Sequence, residues 1–111
     1  MRQNSKKYIL LIMSCLIISG CTAGVPPKTV QVEILKFKFI PAEVTINKGD
    51  TIVWVNVEKR QYHSVWFEES GAPEPDYFFP GETFTQTFDE TGQFPYRCGP
   101  HPEMLGQVTV K

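Results

Sequence analysis

The 111-residue sequence predicts an all-β domain, a small sandwich or barrel of short strands. Apolar residues alternate with polar ones in several brief runs, and turn signals such as Lys48-Gly49-Asp50 and Thr91-Gly92 separate them. No stretch holds a helical period for long, and all nine prolines lie beyond residue 20. One domain is expected at this length. Its core would be small, so a bound metal that also clamps the fold would be useful.

Along the chain, Met1 to Lys7 is a basic start and Tyr8 to Ile18 a nearly unbroken apolar run. That run is short for a membrane span and has the length of a signal-peptide core. It ends in Ile18-Ser19-Gly20-Cys21, which resembles the lipobox of bacterial lipoproteins. The resemblance implies removal of residues 1–20 and lipidation of Cys21, which would anchor the protein to a membrane. The alternatives are an ordinary signal peptide cut nearby or an uncleaved anchor. In every case the domain is expected outside the cytoplasm, in a periplasm or on the outer cell surface.

Residues 21–29, with small side chains and Pro26-Pro27, read as a tether, and the folded domain is expected over 30–111. There, Val30, Val32 and Ile34 alternate with polar neighbours, and Phe37 and Phe39 alternate with lysines. Val44 and Ile46 follow Pro41. Thr51 to Val57 is a strong β run containing Trp54. Thr83 to Phe88 alternates again, and Gln107 to Lys111 forms a short last strand. Between them, Glu68 to Pro80 holds three prolines, a glycine and four acids and reads as a solvated loop, with a place beside a functional site as its other reading.

Without residues 1–20 the chain keeps eight basic and twelve acidic side chains, a formal net charge of −4. That balance argues against nucleic acid. It permits an acidic face for a basic redox partner.

Cys15 falls within the leading apolar run and Cys21 is the lipid site, so Cys98 has no partner thiol. A single thiol in an exported chain suggests intermolecular pairing, a reactive nucleophile or a metal ligand. Beyond residue 20 the other soft ligands are two histidines, His63 and His101, and one methionine, Met104. Three of the four fall in Cys98-Gly99-Pro100-His101-Pro102-Glu103-Met104. Two imidazoles, a thiolate and a weak thioether describe an electron-transfer copper site. A short Pro-rich loop between strands can aim three of them at one point, and prolines on both sides of His101 restrict its motion.

The stretch from Gly81 to Gly106, with Cys-x-x-His-x-x-Met at its centre, resembles the C-terminal half of cupredoxins. Its ligand spacing is closer to amicyanin and plastocyanin than to azurin or pseudoazurin. Pro41 to Asn56 followed by His63-Ser64-Val65 resembles the family's approach to its first histidine ligand. The resemblance spans residues 30–111. It implies a Greek-key β-sandwich and one type 1 copper, with His63, Cys98 and His101 in the plane and Met104 axial. It further implies a non-enzymatic carrier of single electrons between redox partner proteins, with His101 as the electron port and a monomer as the expected state. Three departures bear on the site. Ser64 stands where the family often has Asn as a brace. Pro100 has no N–H to offer the Cys98 sulfur, and Glu103 brings a carboxylate into the ligand loop.

Four other functions compete. Cys98 as an enzyme nucleophile lacks a recognisable motif around it. Copper storage or delivery would use the same ligands. Structural zinc seldom takes a thioether. A catalytic oxidase would need further histidines that the chain does not have.

Overall fold

A computed structural model describes residues 25–111, so Cys21, the expected lipidation and the expected cleavage after residue 20 lie outside the described residues. The first strand, β1 (Thr29–Leu35), buries Val32 and Ile34 on alternate positions. The chain reverses at Lys36 and Phe37, both with positive φ (54° and 60°), into β2 (Lys38–Ile40). Leu35 pairs with Lys38 across this two-residue turn. Two successive left-handed residues match the twist of the flanking strands. The turn also corrects the expected Phe37/Phe39 alternation: Ile34 and Phe39 pair and point inward, whereas Phe37 is lifted out to the exposed tip.

The remaining strands are β3 (Glu43–Ile46), β4 (Thr51–Asn56), β5 (Thr83–Thr87), β6 (Gly92–Arg97) and β7 (Leu105–Val110). They form two sheets, in the orders β2-β1-β4-β5 and β3-β7-β6. β1 and β4 run parallel, as do β3 and β7, and the other pairs are antiparallel. The all-β sandwich expected from the sequence is the observed architecture.

Alternating side chains from both sheets fill the space between them. Val32, Ile34, Ile52 and Trp54 come from one sheet, and Val44, Tyr96, Val108 and Val110 from the other. Trp54 is fully buried, and its indole Nε1–H donates to the Tyr96 hydroxyl at 3.1 Å, tying the sheets together. Burial pushes the Tyr96 phenol up to about 12, so it stays neutral and keeps accepting. Gly106 pairs with Tyr96 across β6 and β7, and the ring lies where a Cβ would stand. At the far end of the sandwich, buried Asp50 accepts the amide N–H groups of Lys28 (2.8 Å) and Asn47 (3.0 Å). Those bonds hold its carboxyl below the ordinary carboxylate range.

The connection from β4 to β5 is the longest loop and departs from a purely solvated one. It contains one 3-10 turn (Glu68–Ser70), sends Phe67 and Phe78 into the core, and pairs His63 with Phe78 in an isolated bridge. The start of this connection and the β6–β7 loop share one end of the sandwich. Among the described residues no helix is long and apolar enough to cross a membrane.

Candidate metal centre

β6 ends at Arg97, which places Cys98 at the first position of the loop leading to β7. The loop closes on itself: Met104 N–H donates to the His101 carbonyl (2.9 Å), and Cys98 N–H to the Met104 carbonyl (3.0 Å). Met104 is thereby folded under the loop, and its side chain is buried. The second contribution comes from the β4–β5 connection, where His63 exchanges main-chain bonds with Phe78.

Three of the four sequence-predicted ligands converge. The sulfur of Cys98 and one nitrogen each of His63 and His101 lie within 4.8 Å of one another. Cys98 Sγ is 3.5 Å from both His63 Nδ1 and His101 Nδ1. A first-row metal binds nitrogen and sulfur at about 2.0–2.3 Å, which separates them by about 3.5–3.7 Å at tetrahedral to trigonal angles. The donor set and its spacing therefore fit a copper ion. His63 and Cys98 are fully buried, whereas His101 is half-exposed.

The surroundings set the chemistry of each donor. Burial pulls the His63 imidazole below its usual range, against an opposing pull from Glu58, so the ring is neutral near pH 7. Its Nε2–H donates to the Glu58 carboxylate at 3.1 Å, which leaves the Nδ1 lone pair facing the sulfur. Burial raises the Glu58 carboxyl, but bonds from the Phe37 amide, His63 and the Lys36 amide outweigh it, and the group stays ionised. Burial likewise raises the Cys98 thiol. Ser64 N–H donates to the sulfur at 3.3 Å, and Gly99 N–H donates to Ser64 Oγ at 2.8 Å. Ser64, shorter than the expected brace, still joins the two ligand loops and supplies an N–H that Pro100 does not.

Two residues that sequence reasoning missed stand beside the histidines. One is Glu58, whose carboxylate contacts a predicted ligand, while Glu103 is exposed. The other is Phe37, whose ring meets His101 edge-on at 4.7 Å and His63 at 5.6 Å. Neither carries a sequence signal. The Lys-Phe-Lys triplet reads as a strand until the turn is known, and Glu58 sits five positions from His63 in a connection of unknown path. Trp66 is half-buried and stacked beneath the Arg97 guanidinium at 4.5 Å. It lines a surface cavity of about 420 Å³ with Arg97, Glu68 and Leu105.

Comparison with known proteins supports this reading of the site. Residues 27–111 match the family model of copper binding proteins, plastocyanin/azurin family. The chain is 41% identical over 95 residues to amicyanin of Paracoccus versutus, an alignment covering 80% of this chain and 70% of that protein. It is 36% identical over 85 residues to the chloroplastic plastocyanin of Tetradesmus obliquus, covering 66% of this chain and 58% of the relative. The crystal structure of Paracoccus versutus amicyanin superposes with a TM-score of 0.69 at 37% identity, over 78% of this chain and 85% of that one. The chain thus belongs to the plastocyanin/azurin family of copper-binding proteins, with the cupredoxin fold.

Proposed function

We propose that this protein is an extracytoplasmic carrier of single electrons, tethered to a membrane through lipidated Cys21. In this reading one type 1 copper is held by His63, Cys98, His101 and Met104. The convergence of one buried thiol and two imidazole nitrogens within 4.8 Å carries the proposal. Copper bound there would alternate between Cu(II) and Cu(I). The protein residues do the rest. Glu58 fixes the His63 tautomer, Ser64 N–H tempers the thiolate charge, and Ser64 Oγ holds the two loops at one spacing. Such a braced site needs little rearrangement when its charge changes. The half-exposed His101 is the natural route for an electron to leave. Complete burial of His63 and Cys98 favours retention of the metal over the delivery role that the same ligands could serve.

Visible and electron-paramagnetic-resonance spectra of the Cu(II)-loaded protein test the copper assignment. An intense thiolate-to-copper band with narrow hyperfine splitting is expected, and Cys98→Ser should abolish both. A copper signal indifferent to that substitution would remove the electron-carrier reading. Tethering is tested separately: Cys21→Ser should move the protein from the membrane fraction to the soluble one, and unchanged partition would remove the lipid anchor.

A further inference from the structure

The end of the sandwich around His101 is aromatic and electrically polarised. Phe37 (45% exposed), Tyr62 (40%), Tyr77 (42%) and Phe79 (52%) all reach solvent. They form a continuous surface. Tyr62 stacks on Tyr77 at 5.2 Å and meets Phe79 at 5.7 Å, and its ring lies 6.3 Å from His101 at a 26° interplanar angle. Phe37 closes the other side of the imidazole. Four large, exposed and contiguous aromatic groups are the composition of a protein-docking core.

Cations collect on one half of this face. Lys36 and Lys38 flank Phe37, and Lys59 and Arg60 lie just before Tyr62. All four are exposed. The two segments are held side by side by the Phe37 amide, which donates to Glu58 Oε2 at 2.9 Å. Of the eight basic residues among those described, half are therefore gathered at two loop tips beside the histidines. None of these four forms an ion pair among the described residues, where the pairs are His63–Glu58 and Arg97–Glu68. Glu58, the acid between the tips, is occupied by the His63 ring and the Phe37 amide. The opposite half, at Tyr77, is acidic: Glu74 binds the Tyr77 hydroxyl at 3.3 Å, and Asp76 is exposed. Glu103 is also exposed, two residues past His101.

We propose that the Phe37–Tyr62 half of this face docks a redox protein whose own contact surface is acidic with an apolar centre. The proposal rests on the electron-carrier reading and names the partner class of the same site. It opposes what net charge alone suggests, because a domain of formal charge −4 should repel an acidic partner. Local charge governs here: at about 0.15 M salt, charges beyond about 8 Å are screened, so a partner seated on Tyr62 and Phe37 feels the nearby cations first.

Two measurements decide it. In the first, the Cu(I) protein passes one electron to ferricyanide, giving the Cu(II) protein and ferrocyanide, at a series of ionic strengths. The rate with this trianion should fall about threefold between roughly 10 and 200 mM salt. Combined Lys36→Glu, Lys38→Glu, Lys59→Glu and Arg60→Glu should make it rise with salt instead. Reversal of the distant acids by Asp89→Lys and Glu90→Lys should keep the falling slope. In the second, the copper-free protein is titrated with paramagnetic hexacyanochromate(III), and amide signals are followed by NMR. Broadening is expected at Lys36 to Lys38 and Lys59 to Tyr62. A rate that rises with salt in the unmodified protein, or broadening centred elsewhere, would overturn the docking proposal and leave the copper site standing. A colourless protein that still broadens at these amides would preserve the acidic-partner surface and remove the electron-carrier reading alone.

Discussion

Replacing Gly106 by Ala tests how tightly the two sheets are locked. Gly106 has no positive φ, so alanine's backbone is acceptable there and any cost comes from packing. The added Cβ would fall well inside contact distance of Tyr96 Cζ, Cε1 and Oη. Tyr96 has little room to yield, since its ring is packed between Phe39, Trp54 and Phe67 at centroid distances of 4.7, 5.5 and 5.3 Å. Overpacking of this kind costs about 1–3 kcal/mol. Displacing the hydroxyl also strands the buried Trp54 indole N–H, for a further ~1–3 kcal/mol. A loss near 4 kcal/mol is expected, against a total stability of about 5–15 kcal/mol for a small domain. Urea unfolding of the copper-free protein reads it as a midpoint lowered by about 2 M or more at an unchanged slope. Tyr96→Phe supplies the internal check. Alone it strands the same indole and costs about 1–3 kcal/mol, but added to Gly106→Ala it should cost almost nothing more. A Gly106→Ala loss below about 1 kcal/mol, or strict additivity of the pair, would refute the argument.

Ser64→Ala removes the Gly99 N–H partner between the ligand loops and should lower stability by about 1–2 kcal/mol; the copper hyperfine splitting should broaden or shift, and an unaltered spectrum would show that the bond does not hold the ligands. Asp50 has a folded-state carboxyl below its unfolded value, so the stability it lends is present above about pH 4 and is lost as pH falls through the lowered value. Acid unfolding of the copper-free protein should therefore steepen below about pH 4, and Asp50→Asn should flatten that limb. With its thiol fully buried and raised by burial, Cys98 of the folded copper-free protein should react slowly with iodoacetamide at pH 7 and quickly in urea; rapid native alkylation would mean that the site opens.

The fold and the convergence of the Cys98 thiol with two imidazoles were both legible in the sequence because each writes a signature there. Strand alternation shows directly which of Val32, Ile34, Ile52 and Trp54 point inward. The Cys98, His101 and Met104 cluster declares itself because soft ligands are otherwise scarce in this chain. The supporting residues were illegible for the opposite reason. Phe37 reaches His101 only because Lys36 and Phe37 adopt a left-handed turn with no glycine or asparagine to announce it. Glu58 meets His63 through a non-repetitive connection, and no periodicity predicts the path of such a segment. Net charge is silent on such detail, since it averages over a surface on which four of the eight described cations sit at two loop tips.

Pairing of β3 with β7 sets Glu43 opposite Gln107 and Ile46 opposite Val110, so early residues wait for the very last strand. β1 with β4 adds another non-local parallel pairing. Long loops must close before such contacts repay their entropy, which places this chain among the slow folders, at milliseconds to seconds. The loop bearing Cys98, His101 and Met104 hangs between β6 and β7, so it takes its shape only when β7 docks. A nascent or truncated chain that lacks β7 therefore holds the Cys98 thiol without the closed loop that brings His101 beside it.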